Sequence, residues 1–418
     1  MSRLAVVNCS QLVTVAGPAR PRVGEEMSDV FAVENAGMIV KNGRITDLDY
    51  SKEIETMILP GTEVVDCSGK CVMPGFIDAH AHPVYAGNRV AEFEMRSKGA
   101  TYEEIAASGG GIWSTVEQTR AADEDDLADE TRDHLDWALR CGTTTMEAKS
   151  GYGLSTREEL KILRVVKSLS ESGPMHLVPT FLGAHAVPPG VPARDYVDTI
   201  LEVMLPAIVE AGLAEFCDVF CEKGYFSLAD SREILVRAKE LGLGLRVHAD
   251  QLSNGGGAKL AAEMDAKTAD HLEQTDEQGI AAMKKAGVQP VLLPGSVYAL
   301  GKSKYPAARA MIEAGLAVVL ATDLNPGSSP TPSIPMILSL ACTQMKMSPA
   351  EAVTAATVNA AYSLNLGGQV GSLEPGKRAD FVVFDTKDYR EIAYYFGREH
   401  ADRVYIGGKI AYGSKLDG

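Results

Sequence analysis

Long apolar runs are missing from this chain. No uncharged stretch in it approaches the roughly 18 residues needed to cross a bilayer as a helix, and residues 1–14 lack the basic start, apolar stretch and cleavage site of a secretory signal. Basic charge is in deficit as well. The 40 Lys and Arg stand against 56 Asp and Glu, a formal charge of -16, which argues against a nucleic-acid or anionic-membrane surface. Cysteines are few and odd in number: seven, mostly within apolar strand-like runs rather than in a disulfide framework. A reducing cytoplasm is expected, with a small molecule or another subunit as partner. Low-complexity linkers and internal repeats are also absent.

What is present is a large core and a regular alternation. Hydrophobic residues make up 45% of the 418 positions. Short β-rich or apolar runs at 71–78, 143–149, 175–183, 215–221, 243–249, 266–271, 289–293 and 317–322 alternate with amphipathic stretches. The helices expected between them cover 123–140, 155–171, 194–211, 228–241, 256–264, 276–286 and 307–314, with Asp123 and Ser155 as N-caps. Eight such runs predict an α/β fold, a TIM-type (β/α)8 barrel. The stretch from 79 to 122, with Gly109-Gly110-Gly111, is too long for a plain connection and reads as a functional loop with short helices. Runs at 5–15, 36–49, 63–67, 379–385 and 403–412 read as short strands, too few at either end to form a stable sheet. They predict one small β-sandwich domain built from both termini, residues 1–70 and 365–418, around a barrel at 71–364.

Histidine is scarce too, and its placement carries the chemistry. Of eight histidines, five stand at predicted strand ends: His80, His82, His185, His248 and His271. A β/α barrel works at that C-terminal face. His80 and His82, spaced i, i+2, point the same way from a strand end and can share one metal ion. With His248 and Asp323 they form a set suited to zinc or iron that leaves a position for water. A metal held there makes water nucleophilic near neutral pH. Asp323 can take the proton of that water, and His271 can hydrogen-bond the oxygen that becomes negative, which reads as hydrolysis at a trigonal carbon. Deamination of a nitrogen heterocycle is the alternative chemistry. A non-catalytic scaffold would be expected to have lost ligands, and this chain keeps all four.

Other polar residues share the same face: Lys149 and Tyr152 after the second run, Asp250 and Gln251 after the fifth. Arg89, in the long first loop, suits a carboxylate, and Tyr85, Tyr102 and Tyr152 could reach the same pocket. The polar loop 322–329 could hold a ligand edge. His134, His176 and His400 read as structural.

The stretch Pro74-Gly75-Phe76-Ile77-Asp78-Ala79-His80-Ala81-His82, with Val247-His248-Ala249-Asp250 and Ala321-Thr322-Asp323, resembles the amidohydrolase superfamily of metal-dependent barrel enzymes. Further stretches narrow the likeness to a branch acting in histidine degradation: Asn88-Arg89, Glu92-Phe93-Glu94-Met95-Arg96, 99–105 leading to 109–112, 147–154, 180–185 and 323–328. The resemblance covers about 73–361. It implies hydrolysis of the cyclic amide of 4-imidazolone-5-propanoate, a C–N bond other than a peptide bond, to N-formimidoyl-L-glutamate. It implies one zinc or iron ion per subunit on His80, His82, His248 and Asp323, and a homodimer. Substrate contacts fall to Arg89, Tyr152, His185 and Ser328, and product contacts to Asn325 and Gly327. Some relatives carry glutamate where Gln251 stands. A glutamine cannot act as a base, so Gln251 is assigned to binding and the base to Asp323, with His271 and His185 completing the catalytic set. Lys149 could be carboxylated to bridge two metals, but the resemblance favours a mononuclear site.

Overall fold

Eight parallel strands follow one another in chain order around a single sheet in the computed structural model, which describes residues 2–100, 104 and 109–413. From first to eighth they are Phe76–Asp78, Thr143–Lys149, His176–Ala184, Phe216–Cys221, Gly244–Ala249, Thr268–His271, Gln289–Leu292 and Val319–Leu320. Each pairs in parallel with the next. The seam between eighth and first closes just above the strands. There Asp323 donates its backbone N–H to the His80 carbonyl at 2.9 Å, and His82 donates to the Leu324 carbonyl at 2.8 Å. Below them the Asp78 carboxylate accepts from the Thr322 backbone N–H at 3.0 Å and from its hydroxyl at 2.5 Å.

The barrel interior is layered by the two-residue period of its strands. Ile77, Val178, Phe216, Val291 and Val319 form an apolar cluster closed by Ala360, Ala361 and Leu364 from the helix Val358–Ser363 and its end. Glu147, Lys149, Asp218, Arg246 and Asp270 make a fully buried charged layer. The histidines follow at the strand ends.

The helices stand where their caps place them. Glu124–Arg140 starts after Asp123, whose carboxylate accepts from the N–H groups of Asp125 and Asp126, and Thr156–Ser172 starts after Ser155, which accepts from Glu158. The 194–211 helix is a composite: Ala193–Thr199, a π-helical turn Ile200–Met204, then Leu205–Glu210. Pro206 has no N–H to give to the ladder, and the turn widens just before it. The long loop holds the helices Val90–Ser97 and Ile112–Ala121, while Tyr102 lies outside the described residues. Helices Ile334–Gln344, Pro349–Ala355 and Val358–Ser363 follow the eighth strand, unassigned in the sequence because they are buried nearly all round and lack an amphipathic period. Among the described residues no helix is long and apolar enough to cross a membrane.

Three sequence readings are corrected: the 5–15 run is two strands in different sheets, the N-terminal strands alone build one four-stranded sheet, and the 71–78 run is divided. The 71–78 run is two strands, of which only Phe76–Asp78 enters the barrel. Cys71–Pro74 pairs antiparallel with Phe381–Phe384 and parallel with Gln11–Val13. Gly75 allows the passage: a Cβ there would lie 2.2 Å from the Thr144 hydroxyl, so a side chain would collide with the second barrel strand. The terminal strands build two sheets. Arg44–Tyr50, Ala36–Lys41, Arg3–Cys9 and Glu63–Asp66 form one; Lys409–Tyr412, Ala401–Ile406, Phe381–Phe384, Cys71–Pro74, Gln11–Val13 and Ala32–Val33 form the other. Val6, Met38 and Val40 pack in one cluster with Val72, Phe381 and Val383, which makes the pair a sandwich.

Candidate active site

Four strand ends converge on one buried cluster. His80, His82, His248, His271 and Asp323 are each at most 3% exposed. The Nε2 atoms of His80 and His82 lie 3.7 and 3.6 Å from Asp323 Oδ1. The His248 ring centre stands 4.5 Å from that of His80 and 5.2 Å from that of His271. Among the described residues three sets of donor atoms lie within 4.8 Å of one another and share His80: His80, His82 and Asp323; His80, His248 and His271; and, on the side of the charged layer, His80, Glu147 and Asp270. His271, expected only as a hydrogen-bond donor, thus stands inside the cluster. Asp250, His271 and Asp323 hold φ values of 51°, 79° and 55°, a left-handed backbone that non-glycine residues rarely adopt and that gathers at functional sites.

The charged layer below orients these rings. Asp270 Oδ2 lies 2.6 Å from His80 Nδ1 and Asp218 Oδ2 lies 2.9 Å from His248 Nδ1. A carboxylate at Nδ1 puts the proton there and turns the Nε2 lone pair toward the cluster. His80 Nε2 and His82 Nδ1 are buried with no hydrogen-bond partner. Burial, with the positive charges nearby, holds both rings well below the ordinary histidine pKa, hence neutral. Buried lone pairs on neutral imidazoles beside a carboxylate are a donor set that fits zinc or iron.

Lys149 reaches 2.6 Å to Asp218 Oδ2 and 3.0 Å to Glu147, and the Arg246 Nε lies 3.0 Å from Glu147. Burial alone would lower the Lys149 pKa, but Asp218 and Glu147 outweigh it and raise it. Its ammonium is engaged by carboxylates and stands as an ion-pair partner, not as a free amine open to carboxylation. Asp218, Glu147, Arg246 and Asp270 were missed in the sequence. The signal was there: charges inside otherwise apolar runs, with Glu147 two residues before Lys149 and Arg246 two before His248. The Asp250 carboxylate, by contrast, accepts from the N–H groups of Gly256 and Gly257 and from the Thr275 hydroxyl, and braces its loop.

A cavity of about 650 Å³ opens above the cluster. His82, Arg89, Tyr152, His185, His248, Gln251, His271, Asp323, Asn325, Gly327 and Ser328 all line it, while His80 lies beneath. His185 Nδ1 lies 3.0 Å from the Gly151 carbonyl, which leaves Nε2 for the cavity, and its ring stacks on His82 at 5.3 Å. Burial and the charge of His248 hold the His185 pKa down at about 3. Tyr85 instead stacks on His134 at 4.4 Å and is not a lining residue.

Arg89 lies 2.5 Å from Glu92, whose other oxygen accepts the Gly111 N–H at 2.9 Å. Asn325 Oδ1 accepts from the N–H groups of Gly327 and Ser328 at 2.8 and 2.7 Å, and its amide nitrogen donates to the Asp323 carbonyl at 2.6 Å. That side chain folds the loop on which Gly327 and Ser328 face the cavity. The Ser328 hydroxyl lies 3.3 Å from Asp323 Oδ2.

Residues 71–411 match the amidohydrolase family model. The chain is 56% identical over 414 residues to an imidazolonepropionase of Solibacter usitatus (strain Ellin6076), covering 99% of each chain. It is 48% identical over 416 residues to an imidazolonepropionase of Geobacillus kaustophilus (strain HTA426), covering 98% of each. Among solved structures, a zinc-bound adenosine deaminase from Xanthomonas campestris superposes with a TM-score of 0.74 at 19% identity, covering 98% of this chain and 92% of that one. At that identity the likeness concerns the fold.

Proposed function

The chain belongs to the amidohydrolase family and, within it, to the imidazolonepropionases, and from that membership we propose that it hydrolyses 4-imidazolone-5-propanoate to N-formimidoyl-L-glutamate at the cavity floor. The carrying observation is one cavity that holds a buried histidine cluster with unpartnered ring nitrogens at its base and arginine on its wall. The first suits a metal that activates water, the second a propionate. We assign His80, His82, His248 and Asp323 as holders of one zinc or iron ion per subunit. When bound, that ion supplies Lewis acidity toward water and an amide carbonyl.

The chain's own residues do the rest. Water adds to the ring carbonyl carbon, the ring C–N bond breaks, and the carbonyl becomes a carboxylate. Asp323 accepts a proton from the water and passes it to the departing ring nitrogen. His271, whose Nδ1 lies 3.4 Å from Glu273, is oriented to donate from Nε2 to the carbonyl oxygen. His185 and Tyr152 hold the ring, Ser328 and Gly327 its open edge, and Gln251 orients without acting as a base. Arg89 contacts the propionate.

Mass analysis of the product tests this reading. Ring opening adds one water and releases no ammonia, whereas ammonia from a purine or pyrimidine with no action on the imidazolone would favour a deaminase. No observation here favours the deaminase, since the low-identity neighbours share the fold alone. The working form in this reading is a cytoplasmic homodimer acting on a small molecule, without nucleic-acid or membrane partners. Seven unpaired cysteines and the prevalence of two-fold assemblies support it.

A further inference from the structure

The helix Val90–Ser97 presents Arg89, Glu92 and Arg96 to the cavity, spaced three and four residues apart and hence on one face. Glu92 is paired with Arg89, their side chains 8% and 13% exposed. Arg96 is different. Among the described residues it forms no ion pair; its Nη1 donates to the Gly327 carbonyl at 3.0 Å, and its buried Nε, like that of Arg89, has no hydrogen-bond partner. Burial and then the charge of Arg89 push its pKa down, and the Glu92 carboxylate offsets them only in part. Both guanidinium groups reach Gly327: Arg96 bonds its carbonyl, and a Cβ there would lie 2.0 Å from the Arg89 Nη1, so glycine lets Arg89 approach.

Among the described residues of this helix face, two cations and one carboxylate leave one positive charge in surplus. A half-buried cation with a like charge beside it is costly until an anion arrives, and a guanidinium fork matches a carboxylate. We infer that Arg96 is a specificity-determining residue: the substrate's propionate supplies the counter-ion that Arg96 lacks, while Glu92 holds Arg89 in place. The assignment rests on the proposed hydrolysis of 4-imidazolone-5-propanoate. It places the discrimination between a charged and an uncharged tail on Arg96 rather than on the already compensated Arg89.

The test compares kcat/KM for 4-imidazolone-5-propanoate and for its primary amide, nearly isosteric but uncharged, in the metal-loaded wild type, Arg96→Gln and Arg96→Lys. The wild type is expected to prefer the acid strongly. Arg96→Gln should lose about ten- to a hundred-fold on the acid, chiefly through KM, so that the acid-to-amide ratio collapses. Arg96→Lys, which keeps the charge, should retain most of that ratio. An Arg96→Gln protein with an unchanged ratio, both substrates falling together, would make Arg96 a mere strut for the Gly327 carbonyl and overturn the inference. No turnover of the acid by the wild type would instead overturn the proposed function. Metal content and melting temperature show that each variant folds; if Arg96→Gln does not, Arg96→Met is read by the same ratio.

Discussion

At the scale of single residues, position in the cavity matters less than what each side chain is already bonded to. Arg89 is tied to Glu92 at 2.5 Å and stands against Gly327. Its truncation should therefore weaken binding more than turnover. Steady-state kinetics of Arg89→Ala should show KM rising with kcat little changed, a loss of about 1.5 to 3 kcal/mol in transition-state binding; unchanged KM would remove Arg89 from the site. His80 and His82 were legible in the sequence because the strand period alone puts both on one side. His248, His271 and Asp323 were legible as strand ends. Asp218 and Asp270 were not, because their meaning lies in contacts to rings on neighbouring strands, and a lone aspartate in an apolar run reads as an irregularity. Tyr85 was overread: nearness to His82 in the chain does not say which way a ring turns, and it turns to His134.

Among elements, the sixth barrel strand carries two functions on adjacent residues. His271 faces the cavity, and Asp270 holds His80 at 2.6 Å from inside the barrel. Asp270→Asn keeps the shape but loses the charge that fixes the His80 tautomer. Chelator competition should show metal held about ten- to a hundred-fold more weakly; unaltered affinity would contradict the orienting role. The helix Glu124–Arg140 offers the opposite case. Asp123→Ala removes two N-cap hydrogen bonds far from the chemistry and should cost about 1 kcal/mol in urea denaturation with kcat/KM unaltered. Caps of this kind made the helix starts legible. The break at Gly75 was not, because 71–78 is apolar throughout and only the packing of two sheets divides it. The π-turn before Pro206 escaped notice because its amphipathic pattern continues across it.

For the whole molecule, the alternating runs specified the barrel, and both chain ends meet in the sandwich whose six-stranded sheet leads through Cys71–Pro74 and Gly75 into the first barrel strand. That junction delivers His80 and His82 to a seam closed by backbone hydrogen bonds to Asp323 and Leu324, so barrel closure and assembly of the cluster are one event. A metal-dependent ring opening at that seam can be checked by following the ultraviolet loss of 4-imidazolone-5-propanoate together with elemental analysis, for the wild type and His248→Ala. Turnover is expected with about one zinc or iron atom per wild-type chain, and a folded His248→Ala protein should have lost most of both metal and activity. Full metal content or full activity in that variant would contradict it.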